Sequence, residues 1–246
     1  MRCDWGMKQI EPAGFPAHVK GRVIFKAAIA LLLLFAPAGA SAASRDMLTQ
    51  AVFTARDKAA ALTQIAGAEA NANATLAKAP HDSEALLTRA MAIGYRAKLN
   101  KSRHDALECR AQFEALVAKN PQDPEAQAAL GGWHIDAVAA LGGLTARGVL
   151  GARKAVGYAA TDRAVALGGD RALFTGLAAL LRLSLDPDDA RGAALANAAV
   201  RGTTPTTLDR LMQRRAAELV NALKGGDRRM VQALAKRLLP LGQIRD

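Results

Sequence analysis

The sequence predicts an all-α protein, an α-solenoid of antiparallel helix pairs closed by C-terminal capping helices, and three observations carry that expectation. Alanine and leucine dominate, and the β-branched alternation of a strand is almost absent. Pro80, Pro121, Pro124, Gly168-Gly169, Pro187, Pro205, Gly225-Gly226 and Pro240 cut the chain into pieces of one or two helices each. A cassette also repeats. When "LAKAPHDSEA" (76–85) is laid over "VAKNPQDPEA" (117–126), six of ten residues coincide at an offset of 41.

Taken in chain order, the first segment reads as an address. Lys20, Arg22 and Lys26 precede the apolar run "AAIALLLLFA" (27–36), and Pro37 and "AGASAAS" follow it. A basic flank, a short apolar core and a small-residue exit predict a secretory signal peptide over 1–42, cut after Ala42 or Ala40. The run is short of the ~20 residues that span a bilayer. Translation from Met7 would give that peptide a more ordinary length. This reading places the mature chain in the periplasm, with 43–200 as the repeat domain and 201–246 as the basic capping helices.

The cassette has a physical meaning. One helix ends, proline prevents its continuation, and Asp82 or Asp123 caps the next helix, with Glu84 or Glu125 near its positive end. A weaker third copy is expected at 164–181, with Gly168-Gly169 as the helix stop and Asp170 as the cap. Extra residues relative to a compact unit are expected around 99–104 and 141–151. The second of these, "GGLTARGVLGARK" (142–154), reads as a flexible or kinked connection; it follows no strand and lacks the Gly-Lys-Ser/Thr ending of a phosphate loop.

These units resemble the tetratricopeptide repeat family, in the divergent form found in exported bacterial proteins. Leu130-Gly131 follows its cap at the family spacing, Trp133-His134 lies near the family's aromatic position, and Cys109 and Phe113 fall at the small and aromatic positions before Pro121. In neighbouring units Ala90 takes the glycine position and Gly157 a small position in a second helix. The unit of 41 is longer than the family's, and Ala72 stands where Phe113 would correspond. The resemblance covers about 50–200. It implies a concave surface that binds another envelope protein or a peptide, or, as in helical accessory components of solute transporters, a small apolar solute.

Two further helices close the chain. Thr204 is expected to cap the first, with Pro205 in its opening turn and Leu208, Leu211, Met212, Leu219, Val220 and Leu223 on one face. The second starts at Asp227 and buries Met230, Val231, Leu234 and Leu238. Terminal helices with a polar outer face suit the capping of an array.

Composition excludes several classes of site. Without 1–42 the chain holds 28 basic and 20 acidic residues, and Cys109 is its single thiol, so no internal disulfide is available. Three well-separated histidines, His81, His104 and His134, offer no closed zinc site. Aromatic content of 4% argues against a base-stacking nucleic-acid surface. No metal or cofactor is expected, and no nucleophile motif points to a catalytic residue.

The binding candidates centre on "AALGGWHIDAVAALGG" (128–143). In a helix from Pro124, Leu130, Trp133, His134, Ala137, Val138 and Leu141 form one stripe. Gly131 and Gly132 would each cost ~1 kcal/mol inside a helix, which close approach of a crossing helix would offset. His134 is then either a packed, hydrogen-bonded residue or a ligand contact on the concave surface. Tyr95 and Tyr158 join Trp133 and His134 as binding candidates.

Asp186 or Asp188 in "LDPDDARG" (185–192) reads as a turn and cap residue, since the remaining ligands of a calcium loop are missing. Arg210, Arg214, Arg215, Arg228 and Arg229 are expected on a basic outer face, with Arg214 and Glu218 spaced as an i, i+4 pair. Such a face could meet an anionic membrane surface peripherally. The function these readings favour is non-catalytic binding in the cell envelope, as a protein-interaction scaffold or as a carrier of an apolar solute.

Overall fold

Helix caps and breakers set the element boundaries. A computed structural model describes residues 38–244, with side chains from residue 43. The basic flank and apolar run of the expected signal peptide lie outside these residues, and the expected cut sites fall in the first turns of the first helix. Among the described residues eleven helices follow one another: α1 (Ala38–Thr54), α2 (Lys58–Lys78), α3 (Ser83–Asn100), α4 (Arg103–Lys119), α5 (Pro124–Leu141), α6 (Gly143–Leu150), α7 (Lys154–Gly168), α8 (Ala172–Leu185), α9 (Ala190–Arg201), α10 (Thr207–Lys224) and α11 (Arg228–Leu238). Among the described residues the sole β feature is an isolated bridge between Arg171 and Thr203.

The repeated cassette builds one turn twice. Ala79 and Asn120 end α2 and α4 at nearly the same backbone angles, and Asp82 and Asp123 each accept from the amide three residues on. A third copy of the geometry occurs at Asp186-Pro187-Asp188-Asp189, where Asp186 accepts from the Asp188 amide and Asp189 caps α9. Asp186 is therefore the turn residue, as expected, but the cap is Asp189 and not Asp188.

Two other caps and one connection differ from expectation. Gly169, at φ 65°, stops α7 as foreseen, yet Asp170 accepts from the Thr203 hydroxyl and leaves Arg171 at the N-cap of α8. Thr206, not Thr204, caps α10, in a reciprocal capping box with Asp209. The segment expected to be a flexible connection forms α6, because Gly142 and Gly151 take positive φ at its two ends and Ala146 and Leu150 are buried.

Each helix packs on its neighbours in sequence except at α6, which packs on α5 and α4 and not on α7, and α1, α3, α5, α8 and α10 also pack on one another in that order. The array is thus a solenoid of antiparallel pairs whose first helices form the inner layer. α8 lies deepest, buried on nearly every side, which is why its sequence "ALFTGLAALLRLSL" shows no polar face. Close approach of α5 to α7 depends on two glycines: a Cβ on Gly131 would stand 2.9 Å from the Gly157 carbonyl oxygen, and one on Gly157 would stand 2.6 Å from Ile135.

The C-terminal pair does more than cap the array. α10 and α11 continue the packing onto α8, and the tail after α11 returns to α1. The Leu241 amide donates to Val52 O at 2.7 Å, and Gln243 Nε2 donates to Val52 O and Ala55 O, both at 3.1 Å. Leu241 holds φ 63°, a left-handed conformation costly for leucine, while its side chain is buried among α1 and α2. Met230, expected to be buried, is exposed, and so is Leu141 at the end of the α5 stripe. No helix among the described residues is long and apolar enough to cross a membrane.

Candidate functional site

The inner layer lines a largely apolar, partly open cavity of about 160 Å³. Its walls repeat at helical spacing. α3 presents Leu87, Met91 and Tyr95 there, and α5 presents Ala128, Gly132 and Asp136, the residues 41 positions later. α1 adds Leu48, Val52 and Phe53, α8 adds Phe174, Leu177 and Leu181, and Leu239-Pro240 of the returning tail completes the wall.

Both ends of the cavity carry charge. At one end Lys98 Nζ bonds Asp136 Oδ1 at 2.8 Å and donates to Pro240 O at 3.4 Å. At the other, Glu125 accepts from Arg45 Nη1 at 2.6 Å and lies 3.6 Å from Arg171 Nη1. Beyond that pair the space widens into a polar vestibule of about 510 Å³. Arg45, Thr49, Leu87, Glu125, Leu173 and Leu208 line both spaces and so form the ring between them.

The four binding candidates separate. Trp133 and Tyr95 line the cavity. Burial, with the Asp136 carboxylate adding to it, holds the Tyr95 hydroxyl far up in its neutral form. His134 lies on the opposite side of α5, 2% exposed, with Nδ1 accepting from the Arg153 amide at 3.3 Å at the start of α7. Its ring meets that of Trp133 edge-on at 5.0 Å. Tyr158 is remote from the cavity, between Lys154 and a buried Arg182 whose guanidinium stands 4.1 Å above its ring.

His134 is held neutral. Burial is the main cause, helped by Arg110 and Arg153 and opposed by Glu114, and together they push its pKa down to about 4. An unfolded histidine binds its proton near pH 6.5, so the unfolded chain takes up more protons between there and pH 4. Stability present above pH 6.5 is therefore lost as the pH falls toward 4, by roughly 2–3 kcal/mol. Melting temperatures across that interval should fall more steeply for the native chain than for His134→Asn, which keeps an acceptor near the Nδ1 position; equal slopes would show that His134 contributes no such linkage.

The basic face also divides. Arg210, Arg214, Arg228 and Arg229 are exposed; Arg210 lines the vestibule and Arg228 pairs with Asp188. Arg214 and Glu218 do not pair among the described residues. Arg215 is not on that face, since it is only 9% exposed, donates to Leu238 O and Phe53 O, and stacks 4.3 Å over the Phe53 ring. Its position on α10, three residues after Met212, turns it inward. There it ties α10 to α1.

Two other reactive groups stand apart from the cavity chemistry. The Cys109 thiol is pushed up to about 12, chiefly by burial, and donates to Ala106 O. His104, Asp105 and Glu108 bring ligand atoms within 4.8 Å of one another at the surface of α4, but Asp105 is already engaged by Arg96 Nε at 2.9 Å.

Sequence reasoning passed over Arg45, Glu125, Asp136 and Arg171. A signal for them existed: Glu125, Ala128, Ala129, Gly132, Trp133 and Asp136 form a second stripe on α5 at i, i+3, i+4, i+7, i+8 and i+11, all six lining the cavity. Comparison with known protein-family models, with curated proteins and with solved structures finds no match.

Proposed function

We propose that this chain is a non-catalytic binding protein of the cell envelope, a divergent tetratricopeptide-like solenoid that holds a small apolar solute within its inner layer. The observation that supports this reading is the cavity itself, lined by six helices and the returning tail and walled mainly by apolar side chains. Its volume suits a molecule of about the size of benzene. Periplasmic residence follows from the expected signal peptide, and a transporter would be the recipient of the solute.

The test uses the full chain with Trp5→Phe, which leaves Trp133 as its single tryptophan. Titration with indole, benzene or hexanol should shift Trp133 emission. Gly132→Val directs a side chain into the open space beside Leu181, where a Cβ would be 3.9 Å from the nearest Leu181 carbon, and should weaken binding at least tenfold while the helical circular dichroism persists. Unchanged emission with every solute, or undiminished binding in Gly132→Val, would reject the reading.

A protein-interaction scaffold has support of its own in α6. Leu144 there is 91% exposed beside exposed Leu141 and Val149. Leu144→Ser should release an envelope partner recovered by crosslinking if this reading holds, and partner recovery unaffected by the change would count against it.

A further inference from the structure

The identity of the solute's head group can be read from the ring between cavity and vestibule, on the assumption that the cavity binds a solute as proposed above. We propose that the ligand is a small amphiphilic monocarboxylate, its tail of about six to eight carbons in the apolar cavity and its carboxylate at Arg45 and Arg171.

Three features of the ring point there. Arg45 and Arg171 both meet Glu125, while Arg45 also lies 3.9 Å from Glu84 and Arg171 pairs with Asp209. Arg45 Nε is buried without a hydrogen-bond partner, with its nearest acid, Glu84, at 3.9 Å. A ligand oxygen at this point would satisfy a donor that the protein leaves unmade, which a purely apolar molecule would not. Arg210, exposed in the same vestibule wall, has no carboxylate partner among the described residues and donates to the Thr207 hydroxyl.

Fold geometry adds a field of the same sign. The inner helices run parallel, so α3, α5, α8 and α10 all begin at the vestibule, which Ser83, Asp123, Arg171 and Thr206 help to line. Each contributes the positive end of its dipole. Asp123 caps α5 and Asp209 closes the capping box of α10, so carboxylates already offset part of this field.

Charge number is set by the acids nearby. Glu84, Glu125 and Asp209 already surround the two arginines, and Asp46 and Asp123 line the same vestibule, so a dianionic phosphate would meet about twice the repulsion of one carboxylate. The incoming carboxylate competes with Glu125, which sits in the second position of α5 and is partly exposed toward the vestibule, where its side chain can turn aside.

Binding of hexanoate and phenylacetate, against hexanol and benzyl alcohol as neutral counterparts, is measured by calorimetry on the full chain and on two variants. The carboxylates should bind at least tenfold more tightly than the alcohols. Arg45→Gln should remove that preference, and Glu125→Gln, which removes the competing carboxylate, should increase it severalfold. If Arg45→Gln fails to fold, Glu125→Gln still decides, because unchanged or weaker carboxylate binding in that variant overturns the proposal. Equal binding of acid and alcohol would also overturn it while leaving the apolar-solute reading intact, and tighter binding of hexyl phosphate would overturn the single-charge assignment. No binding by any of these probes would reject both readings.

Discussion

Replacing Asp209 with alanine should cost about 3–5 kcal/mol, the range for stranding a buried ion-pair partner. Asp209 is wholly buried and acts at both helix starts it touches. Its Oδ2 accepts from the Thr206 hydroxyl at 2.6 Å, the Thr206 amide at 3.1 Å and Arg171 Nη2 at 3.0 Å, while Oδ1 accepts from the Leu173 amide at 3.0 Å. Alanine would leave the Arg171 charge short of a partner and the Leu173 amide unsatisfied inside the protein. In a chain of this size each kcal/mol lowers the melting temperature by ~2–4 °C, so a fall of about 10 °C is expected in calorimetry.

Asp209→Asn, which keeps the shape and one acceptor, should fall between alanine and the native chain. Burial alone would raise the Asp209 pKa, but the bonds from Arg171, Thr206 and Leu173 overcome it and hold the group below the usual carboxylate value. Its contribution is therefore complete at neutral pH and is lost as the pH falls below ~3.8 through the folded-state value. A melting temperature within 2 °C of native for Asp209→Ala would show that these bonds do not tie α8 to α10.

The second large effect divides two adjacent glycines. A Cβ on Gly131 would stand 2.7 Å from Thr161 Cγ2 and 2.9 Å from both the Gly157 carbonyl oxygen and the Thr161 amide nitrogen, and two of those atoms are backbone. Relief requires α5 and α7 to separate, so Gly131→Ala should destabilise by about 3 kcal/mol, at the upper part of the overpacking range. A Cβ on Gly132 meets nothing closer than a Leu181 methyl at 3.9 Å. Gly132→Ala should therefore stabilise by up to ~1 kcal/mol through helix propensity. Chemical denaturation of both variants checks the sign; a matching sign for the two would contradict the packing described.

The fold class was legible because the helix signals are local: the stops at Pro80 and Pro121 and the caps Asp82 and Asp123 lie within a few residues of the boundaries they set. Gly131 and His134 were legible as packing residues for the same reason, since one helical stripe contains them. Arg215 was misplaced because its partners, Phe53 and Leu238, lie on other helices, and a charged residue between polar neighbours reads as surface until the array closes. The cavity ring was hidden likewise. Glu125 reads as a first-turn acid, and its meeting with Arg45 and Arg171 depends on how three helices stack. The Asp186–Asp189 turn also repeats the geometry of the earlier two at a junction from an inner to an outer helix, where those run from outer to inner, so turn chemistry alone did not fix the phase of the array.

The return of the tail to α1 changes how the chain behaves as a repeat protein. In an open array, contacts link near neighbours in sequence, and either end can fray without consulting the other. Here Gln243 reaches residues 188 and 191 positions earlier, and Arg215 reaches one 162 positions earlier. Such links close only after the intervening helices have ordered, so they belong to the latest and slowest part of folding. The same seam offers the cheapest local opening once the protein is folded, since it rests on a short tail and a strained Leu241.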